Sequence, residues 1–316
     1  MSAGERFDVA TFGEMMLLLV ADQPGPLEQV ASFHKRTAGA ETNVAIGLAR
    51  LGLRVAWASR LGQDSPGRFL LAEMQREGVD CARVVLDPAQ RTGLQFKQRV
   101  TDGSDPFVES HRKGSAASHM TAADVDAGWL RSARHLHATG VFPGVSAGCR
   151  AAAQAAFEVM RAAGRSISFD PNLRPALWSS PEEMRLVVNQ FAFQADWVLP
   201  GLEEGRFLTG LHTPQEIAGF YRQRGARAVF VKLGPDGAWY DTEQGSGHVP
   251  AFPVAEVVDT VGAGDGFAVG VVSALLEGRS PPDAARRGAW IGARAVQVRG
   301  DTEGLPTRAE LDAVGL

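Results

Sequence analysis

A carboxylate inside a run of glycines is the combination of residues in this chain with the clearest chemical potential. The run is Asp259–Gly270, and Asp265 lies where a predicted helix begins. Glycines allow several backbone N–H groups to converge, and the positive end of the helix favours an anion beside them. A carboxylate next to a bound phosphate can accept the proton of an attacking hydroxyl. The segment therefore predicts phosphoryl transfer, with Asp265 as base and the amides of Gly262, Ala263 and Gly264 as the anion site.

The same run also matches a turn followed by an acidic helix start, which is the commoner meaning of a single glycine-rich motif. The position of Asp265 at a helix N-terminus predicts a lowered pKa, because the helix dipole favours the charged carboxylate. In a loose transition state the proton can leave late, so the position of this carboxylate matters more than its basicity.

Two common nucleotide-binding motifs do not account for the glycine run. The P-loop requires a lysine directly after a glycine. None of the four lysines in this sequence follows a glycine (Lys35, Lys97, Lys113 and Lys232). The dinucleotide fingerprint would need a small residue where Phe267 stands. A P-loop site is therefore excluded, and a nicotinamide-dependent oxidoreductase is disfavoured.

Composition and charge exclude several classes of partner. The 316 residues are 45% hydrophobic, which is enough for a buried core, and carry a net charge of -4. This charge gives no general attraction to nucleic acid or to an anionic membrane. Met1–Arg6 lacks a signal-peptide pattern, and no apolar run approaches the roughly 20 residues of a membrane span. We therefore expect a cytoplasmic protein without nucleic-acid or membrane partners, in which Cys81 and Cys149 are free thiols.

Strands and helices alternate along most of the chain. The predicted strands are Phe7–Phe12, Arg54–Arg60, Ala133–Ala138, Ser166–Asp170, Trp197–Leu199 and Ala228–Leu233, with a further β excursion over 234–253. The predicted helices are 40–51, 64–77, 146–163, one from Pro181, 202–209, one after the capping box 213–216, 262–277 and 282–298. Such alternation predicts an α/β fold with a mostly parallel central sheet covered by helices on both faces. We expect one domain over residues 1–316.

Two segments interrupt the alternation and predict a small β-sheet lid. Residues 14–37 contain strand-like pieces, and residues 91–113 contain a predicted hairpin. The hairpin joins Thr92–Val100 to Pro106–Arg112 through a turn at residues 101–103. A lid over the end of a sheet would exclude water, which could otherwise compete as the nucleophile.

Polar segments follow several predicted strands, at the end where ligands of parallel α/β sheets bind. They are Gly13-Glu14, Thr139-Gly140, Asp170–Arg174, Pro200–Glu204 and Gly234–Gly237. Each segment alone matches a common turn. Their shared edge of the sheet instead predicts one binding site to which all of them contribute.

With these motifs the chain resembles the ribokinase-like (PfkB-type) carbohydrate kinases over nearly its whole length. Asp259–Asp265 is similar to the C-terminal signature of that family, and Gly39–Ala45 to its N-terminal signature, in the same order and spacing. The resemblance implies a ribokinase-like fold and phosphorylation of a sugar by ATP with Mg²⁺, in which Gly39 and Asn43 contact the sugar. It also implies an activating K⁺ near the Asp259 turn and a dimer formed through the edge strands of the lid.

Within that family the chain most resembles the 2-keto-3-deoxygluconate kinases. The segments that carry this likeness are Gly13-Glu14, Gly39–Glu41, Arg112–Ala116, Asp170–Arg174 and Leu177-Trp178. The implied reaction transfers the γ-phosphate of ATP to 2-keto-3-deoxygluconate and yields 2-keto-3-deoxy-6-phosphogluconate. An acidic sugar is also favoured independently, because guanidinium groups bind carboxylates well and Arg112 and Arg174 could reach one from two sides. The alternative is that both are ordinary surface arginines.

The resemblance also assigns roles to the remaining candidate residues. Substrate binding is predicted for Gly39, Asn43, Glu14, Lys97, Arg112, Arg174 and Asp265. Nucleotide binding is predicted for Lys232, Gly234, Gly237, Gly262, Gly264 and Asn172, with residues 289–296 at the border of the nucleotide.

Few side chains have the pattern of a metal site. Glu204 is predicted to act on the magnesium ion through water, because Mg²⁺ keeps much of its hydration shell. His135 and His137 share one face of a predicted strand. A third ligand is not visible near them, so we expect packing there rather than metal binding.

The chain departs from the family pattern at three positions. Gln95 and Ser110 stand where lid tyrosines are usual, and Gly201 stands where an asparagine is usual. The different lid surface leaves open a related kinase for a neutral sugar, such as a fructokinase, or for a nucleoside. A sugar-binding protein without activity is a further alternative, which the intact Asp265 disfavours.

Overall fold

The computed structural model describes residues 6–100 and 106–316. The predicted turn at residues 101–103 and the residues before Arg6 lie outside these ranges. Within them, one large sheet with its covering helices and one small sheet make up the fold. No helix in the described part of the chain is long and apolar enough to cross a membrane.

The elements are numbered in chain order. The described strands are β1 Phe7–Phe12, β2 Met16–Pro24, β3 Phe33–Ala38, β4 Val55–Gly62, β5 Asp80–Asp87, β6 Leu94–Arg99, β7 Val108–His111, β8 Ala133–Thr139, β9 Ser166–Asp170, β10 Trp197–Val198, β11 Ala228–Lys232, β12 Ala238–Thr242 and β13 Gly245–Val249. The described α-helices are α1 Ala40–Arg50, α2 Ser65–Arg76, α3 Ala127–Arg131, α4 Val141–Val145, α5 Ala147–Ala162, α6 Pro181–Ala192, α7 Leu202–Thr209, α8 Pro214–Arg222, α9 Ala263–Leu276, α10 Pro281–Ala295 and α11 Arg308–Ala313.

Nine of the described strands form the large sheet, in the order β13-β12-β11-β10-β9-β8-β1-β4-β5. The strands from β11 to β5 are parallel, and β12 and β13 add an antiparallel hairpin at one edge. The predicted mostly parallel sheet is confirmed. The sequence does not predict β5, because Val85 and Leu86 are exposed at the sheet edge and the segment lacks the alternation of a half-buried strand.

Helices cover both faces of the large sheet, as predicted. On one face, α5, α6 and α8 pack a core in which the ring centroids of Phe157, Phe169 and Phe191 lie 5.1–6.2 Å apart. On the other face, α1, α2, α9 and α10 pack around the fully buried Trp57. Helix α9 lies between α1 and α10, so it is apolar on nearly all sides. Its buried position fixes the glycine run at its N-terminus.

The contact between α9 and α10 depends on Gly270. A Cβ atom added there would lie 2.5 Å from the Cα atom of Gly288, so the helix backbones would have to separate. We expect Gly270→Ala to lower the free energy of unfolding by about 2 kcal/mol through overpacking. Gly219→Ala in α8 is the matched control, because an added Cβ there meets nothing within 4 Å. Its better helix propensity should raise stability by about 0.5–1 kcal/mol. Chemical denaturation measures both variants, and equal stabilities would contradict the close helix contact.

Four described strands form the second, smaller sheet, in the order β3-β2-β6-β7. Strands β2 and β6 pair in parallel at its centre, and β3 and β7 are antiparallel edge strands. These strands come from both segments that the sequence predicts as a lid, and the predicted small sheet is confirmed. Lys97 of β6 is only 2% exposed, so one face of this lid turns toward the body of the protein.

Candidate active site

The candidate residues meet at the carboxyl ends of the parallel strands. Glu14 follows β1, Asp170 ends β9 and Lys232 ends β11. Asp265 lies in the first turn of α9, and Asn172 donates a hydrogen bond to it from the segment after β9. The fold therefore brings the predicted polar segments together at one edge of the sheet.

Asp265 is buried and is held by two asparagine side chains. Asn43 Nδ2 lies 2.8 Å from Asp265 Oδ2, and Asn172 Nδ2 lies 3.1 Å from Oδ1. Asn172 has the left-handed backbone angle φ 40°, which asparagine tolerates better than most residues. Both amides donate, so they fix the plane of the carboxylate while its remaining lone pairs can accept from a hydroxyl.

Burial raises the pKa of Asp265 to about 7, and the charges of Asp170 and Asp301 add to this rise. The hydrogen bond from Asn43 and the charge of Arg174 act in the opposite direction. The expectation of a lowered pKa is therefore wrong, because loss of water and two nearby acidic groups outweigh the helix dipole. A carboxyl group that titrates near neutral pH is well matched to the work of a general base.

The glycine run forms the turn that starts α9. Gly262 has φ 86°, and a Cβ atom there would lie 2.6 Å from the carbonyl oxygen of Asp301. Conformation and space both require a glycine at this position. Gly264 faces Lys232, since an added Cβ would lie 3.5 Å from the Lys232 Nζ atom. Backbone amides at a helix N-terminus beside an ammonium group suit a phosphate.

Lys232 is held by an ion pair with Asp170. Its Nζ atom lies 2.7 and 2.9 Å from the two Asp170 oxygens and 4.0 Å from Glu204 Oε2. Burial acts to lower the pKa of Lys232, but Asp170 and Glu204 raise it overall and keep the ammonium group charged. Burial raises the pKa of Asp170 against the opposing effect of Lys232. The pair places a fixed positive charge beside the glycine run.

Glu204 is oriented by backbone groups at the start of α7. Its carboxylate accepts the N–H groups of Leu173 and Gly201, each at 2.7 Å. Residues 6–100 and 106–316 contain no group of three or more His, Cys, Asp or Glu that could hold a metal ion. The predicted contact of Glu204 with a metal-bound water stays a prediction.

Arg112 is already paired with Glu14. The Arg112 Nε and Nη2 atoms lie 2.7 and 2.6 Å from Glu14 Oε2, and Ser115 Oγ lies 2.5 Å from Glu14 Oε1. The third guanidinium nitrogen, Nη1, has no hydrogen-bond partner within the described ranges. Arg174 is exposed and donates a hydrogen bond to the carbonyl of Leu173. Its positive charge acts to lower the pKa of Asp265. Arg174 therefore lies near Asp265, and Arg112 lies beside Glu14 with its Nη1 atom unpaired in the described part of the chain.

The pattern of the pfkB family carbohydrate kinase matches residues 6–308 of the chain. The chain belongs to the PfkB family. This PfkB kinase is 47% identical over 307 residues to the 2-dehydro-3-deoxygluconokinase of Bacillus subtilis (strain 168), an alignment that covers 97% of the chain and 94% of the relative.

Solved structures agree with this assignment. The crystal structure of a PfkB protein from Polaromonas sp. JS666 is 66% identical to this PfkB kinase, with a TM-score of 0.91 over 97% of this chain and 99% of the other. A protein from E. coli described as a ribokinase II, in complex with ATP and Mg²⁺, is 28% identical, with a TM-score of 0.90 over 97% and 98% of the two chains. The fold is ribokinase-like, and the chain is an ATP-dependent sugar kinase.

Two acidic residues in the site of this PfkB kinase have no role predicted from the sequence. Glu41 is buried, and its Oε1 accepts the hydroxyl of Thr139 at 2.6 Å; burial raises its pKa. Asp301 follows α10, where no strand or helix pattern marks it, and burial raises its pKa as well. The glycines at positions 300 and 304 are the one local signal of a constrained turn there.

The other predicted glycines of the PfkB kinase differ in their surroundings. A Cβ added at Gly39 would lie 2.6 Å from the carbonyl oxygen of Glu14, so two site segments pass closely there. Gly234 has φ 60° with nothing within 4 Å of an added Cβ, which leaves open space beside it. Gly237 has φ 92°, and an added Cβ would clash with the carbonyl oxygen of Val249, so a tight turn already requires this glycine. Nucleotide binding by Gly234 and Gly237 stays a prediction.

The two histidines lie inside the large sheet and contact serines. His135 lies 2.8 Å from the hydroxyls of both Ser166 and Ser168, and His137 lies 2.8 Å from that of Ser168. Burial lowers the pKa of His137 to about 3, with a further contribution from the charge of Lys232. Burial lowers the pKa of His135 as well, so both rings are neutral at pH 7 and pack inside the sheet.

The lid positions that lack the expected tyrosines contact each other. Gln95 Nε2 donates to Ser110 Oγ at 2.9 Å, across the pairing of β6 with β7. These two polar groups therefore satisfy one another on the lid surface. The lid contributes no tyrosine to the site from these two positions.

Proposed function

We propose that this PfkB kinase phosphorylates a keto-deoxy sugar acid, with 2-keto-3-deoxygluconate as the preferred acceptor and 2-keto-3-deoxy-6-phosphogluconate as the product. The observation that carries the proposal is the state of Arg112, whose Nε and Nη2 are held by Glu14 while Nη1 is left for a ligand. A guanidinium oriented in this way favours a carboxylate over a neutral hydroxyl. The relative from Bacillus subtilis, named 2-dehydro-3-deoxygluconokinase, supports the same acceptor.

The proposed roles follow from the geometry of the site. Asp265 accepts the proton of the sugar hydroxyl as that oxygen bonds to the γ-phosphorus of ATP and the bond to ADP breaks. The amides of the Gly262–Gly264 turn and the ammonium group of Lys232 stabilise the charge of the transferred group. Mg²⁺, when bound, neutralises phosphate charge, and Glu204 contacts one of its waters.

A panel of acceptors tests the proposal. ADP release with Mg²⁺ and ATP is measured against 2-keto-3-deoxygluconate, 2-keto-3-deoxygalactonate, fructose and ribose. Selective turnover of a keto-deoxy acid supports the proposal. Turnover of a neutral sugar alone would leave the kinase activity standing and contradict the carboxylate contact, in favour of the fructokinase alternative.

The raised pKa of Asp265 predicts a pH dependence of the reaction. Below the pKa the group is protonated and cannot act as a base, so we expect kcat/KM to rise about tenfold per pH unit up to about 7 and then to level off. Initial rates across about three pH units centred on this pKa measure the profile. A profile that is flat through this range would contradict Asp265 as the titrating base.

Three further expectations stay predictions. Activation by K⁺ near the Asp259 turn would appear as faster turnover in potassium than in sodium chloride, at matched ionic strength. A dimer formed through the lid strands β3 and β7 would appear in analytical ultracentrifugation as twice the mass of the 33.6 kDa chain. A cytoplasmic location would appear in fractionation of the producing cells.

A further inference from the structure

Lys97 connects the lid to the body of the kinase. It lies on lid strand β6, and its Nζ atom is 2.6 Å from Asp259 Oδ2 and 3.4 Å from Asp301 Oδ1. A fully buried lysine is rare unless its charge is paired. The two carboxylates belong to the segment before α9 and to the segment after α10, so one lid side chain holds two separate parts of the body.

The two carboxylates in turn shape the reactive centre. Asp259 accepts the N–H groups of Val261 at 3.1 Å and Gly300 at 3.3 Å, which fixes the chain leading into the glycine run. Asp301 lies 3.5 Å from Asn43 Nδ2, and the same amide donates to Asp265 at 2.8 Å. A continuous set of polar contacts therefore runs from the lid ammonium group to the candidate base.

Withdrawal of Lys97 would leave the negative charges of this cluster without a compensating cation. Asp259 and Asp301 would then be two buried carboxylates without a cation, which repel each other unless one moves or takes up a proton. Either change would disturb the glycine turn, because Gly262 packs against the backbone of Asp301. It would also disturb Asn43, which orients Asp265.

We infer that Lys97 is a positioning residue that assembles the anion-binding turn and the Asp265 base only when the lid is closed. Its ammonium group pairs with two buried protein carboxylates, and we assign it that role instead of the predicted contact with the sugar. This inference rests on the proposed phosphoryl transfer and does not depend on which sugar is the acceptor. When the lid opens and Lys97 withdraws, the turn loses its order, so ATP is held in a reactive arrangement only under the closed lid.

The first test compares Lys97→Met with Lys35→Met. Lys35 lies on β3 of the same sheet, is exposed and places its Nζ over the ring of Phe69 at 4.3 Å. We expect Lys97→Met to lower kcat about 100-fold while KM for the acceptor changes less than about threefold, because the loss is one of positioning. Lys35→Met should change neither value by more than about twofold. A large rise in KM with kcat retained would overturn the inference and make Lys97 a sugar ligand.

A second set of variants separates positioning from folding. Lys97→Met leaves two unpaired carboxylates and could unfold the protein, whereas Lys97→Met with Asp259→Asn restores the original net charge of the cluster. We expect the melting temperature of this double variant to lie within a few degrees of that of wild type. Its kcat should still be about 100-fold below wild type, the same loss that we expect for Asp259→Asn alone. Recovery of kcat together with stability would overturn the inference, since charge balance alone would then suffice.

Hydrogen exchange tests the attachment of the lid by Lys97 independently of which sugar the enzyme accepts. Exchange of the β6 amides, Leu94–Arg99, is measured in wild type, Lys97→Met and Lys35→Met without any sugar. We expect about tenfold faster exchange in Lys97→Met alone, because the lid loses its attachment to the body. Unchanged exchange would overturn the inference even if a sugar acid is the acceptor. If exchange is faster in Lys97→Met but the enzyme phosphorylates only neutral sugars, the positioning role of Lys97 is supported and the proposed sugar-acid acceptor is contradicted.

Discussion

Asp265→Asn lowers kcat for any accepted sugar by about 10³-fold or more, which is the largest effect we expect from a single substitution. An amide of the same size cannot take up the proton of the attacking hydroxyl. Its NH₂ group would also face one of the two amide donors, Asn43 or Asn172, that now hold the carboxylate. The dissociation constant of ATP should change less than about threefold, because the lost interaction is made in the transition state. ADP release and calorimetric titration with ATP measure the two quantities.

Asp283→Asn is the matched control for this substitution. Asp283 is also an aspartate in the first turn of a helix, α10, but it is exposed and accepts the hydroxyl of Ser280 at 2.5 Å. Its replacement should leave kcat within about twofold of wild type. An Asp265→Asn enzyme that retains more than about a tenth of wild-type kcat would contradict the role of general base.

Arg112→Gln should change the choice of acceptor. We expect kcat/KM for 2-keto-3-deoxygluconate to fall about 100-fold, because a charge-assisted hydrogen bond to the substrate carboxylate is lost. The kcat/KM for fructose, however small, should change less than about threefold. The ratio of the two values, measured by ADP release, isolates the effect on the carboxylate from any general loss of activity.

Two further variants control this experiment. Glu14 would be left buried without its cation in Arg112→Gln, so Glu14→Gln is combined with it to restore neutrality. Arg83→Gln on β5 tests an ordinary surface arginine, which pairs with Asp126 at 2.6 Å. Equal loss of activity toward the acid and the neutral sugar in the Arg112 variants would contradict a contact with the substrate carboxylate.

Elements determined by short-range interactions could be predicted from the sequence. The bounds of β1, β9 and α7 agree with the prediction. Ser180 caps α6 through the N–H of Glu183, and the predicted capping box starts α8. These features depend on residue types within a few positions of each other, so a single sequence contains the necessary information.

The electrostatics of the site could not be predicted in the same way. Lys97 and Asp259 lie 162 positions apart in the chain, and no local pattern indicates that they meet. The helix N-terminus at Asp265 is visible in the sequence, whereas its burial beside Asp170 and Asp301 is a property of the complete fold. The local signal therefore predicted the wrong direction for the pKa, because the dominant influences are long-range.

The cluster around Asp265 also limits when activity can appear during synthesis. Asn43 is synthesised before its two carboxylate partners, Asp265 and Asp301, which follow it in the chain by 222 and 258 positions. An N-terminal segment that folds first has neither partner in place. A stalled or truncated chain that ends before residue 265 lacks the proposed base and most of the proposed anion site. We expect such incomplete products to be inert and to consume no ATP.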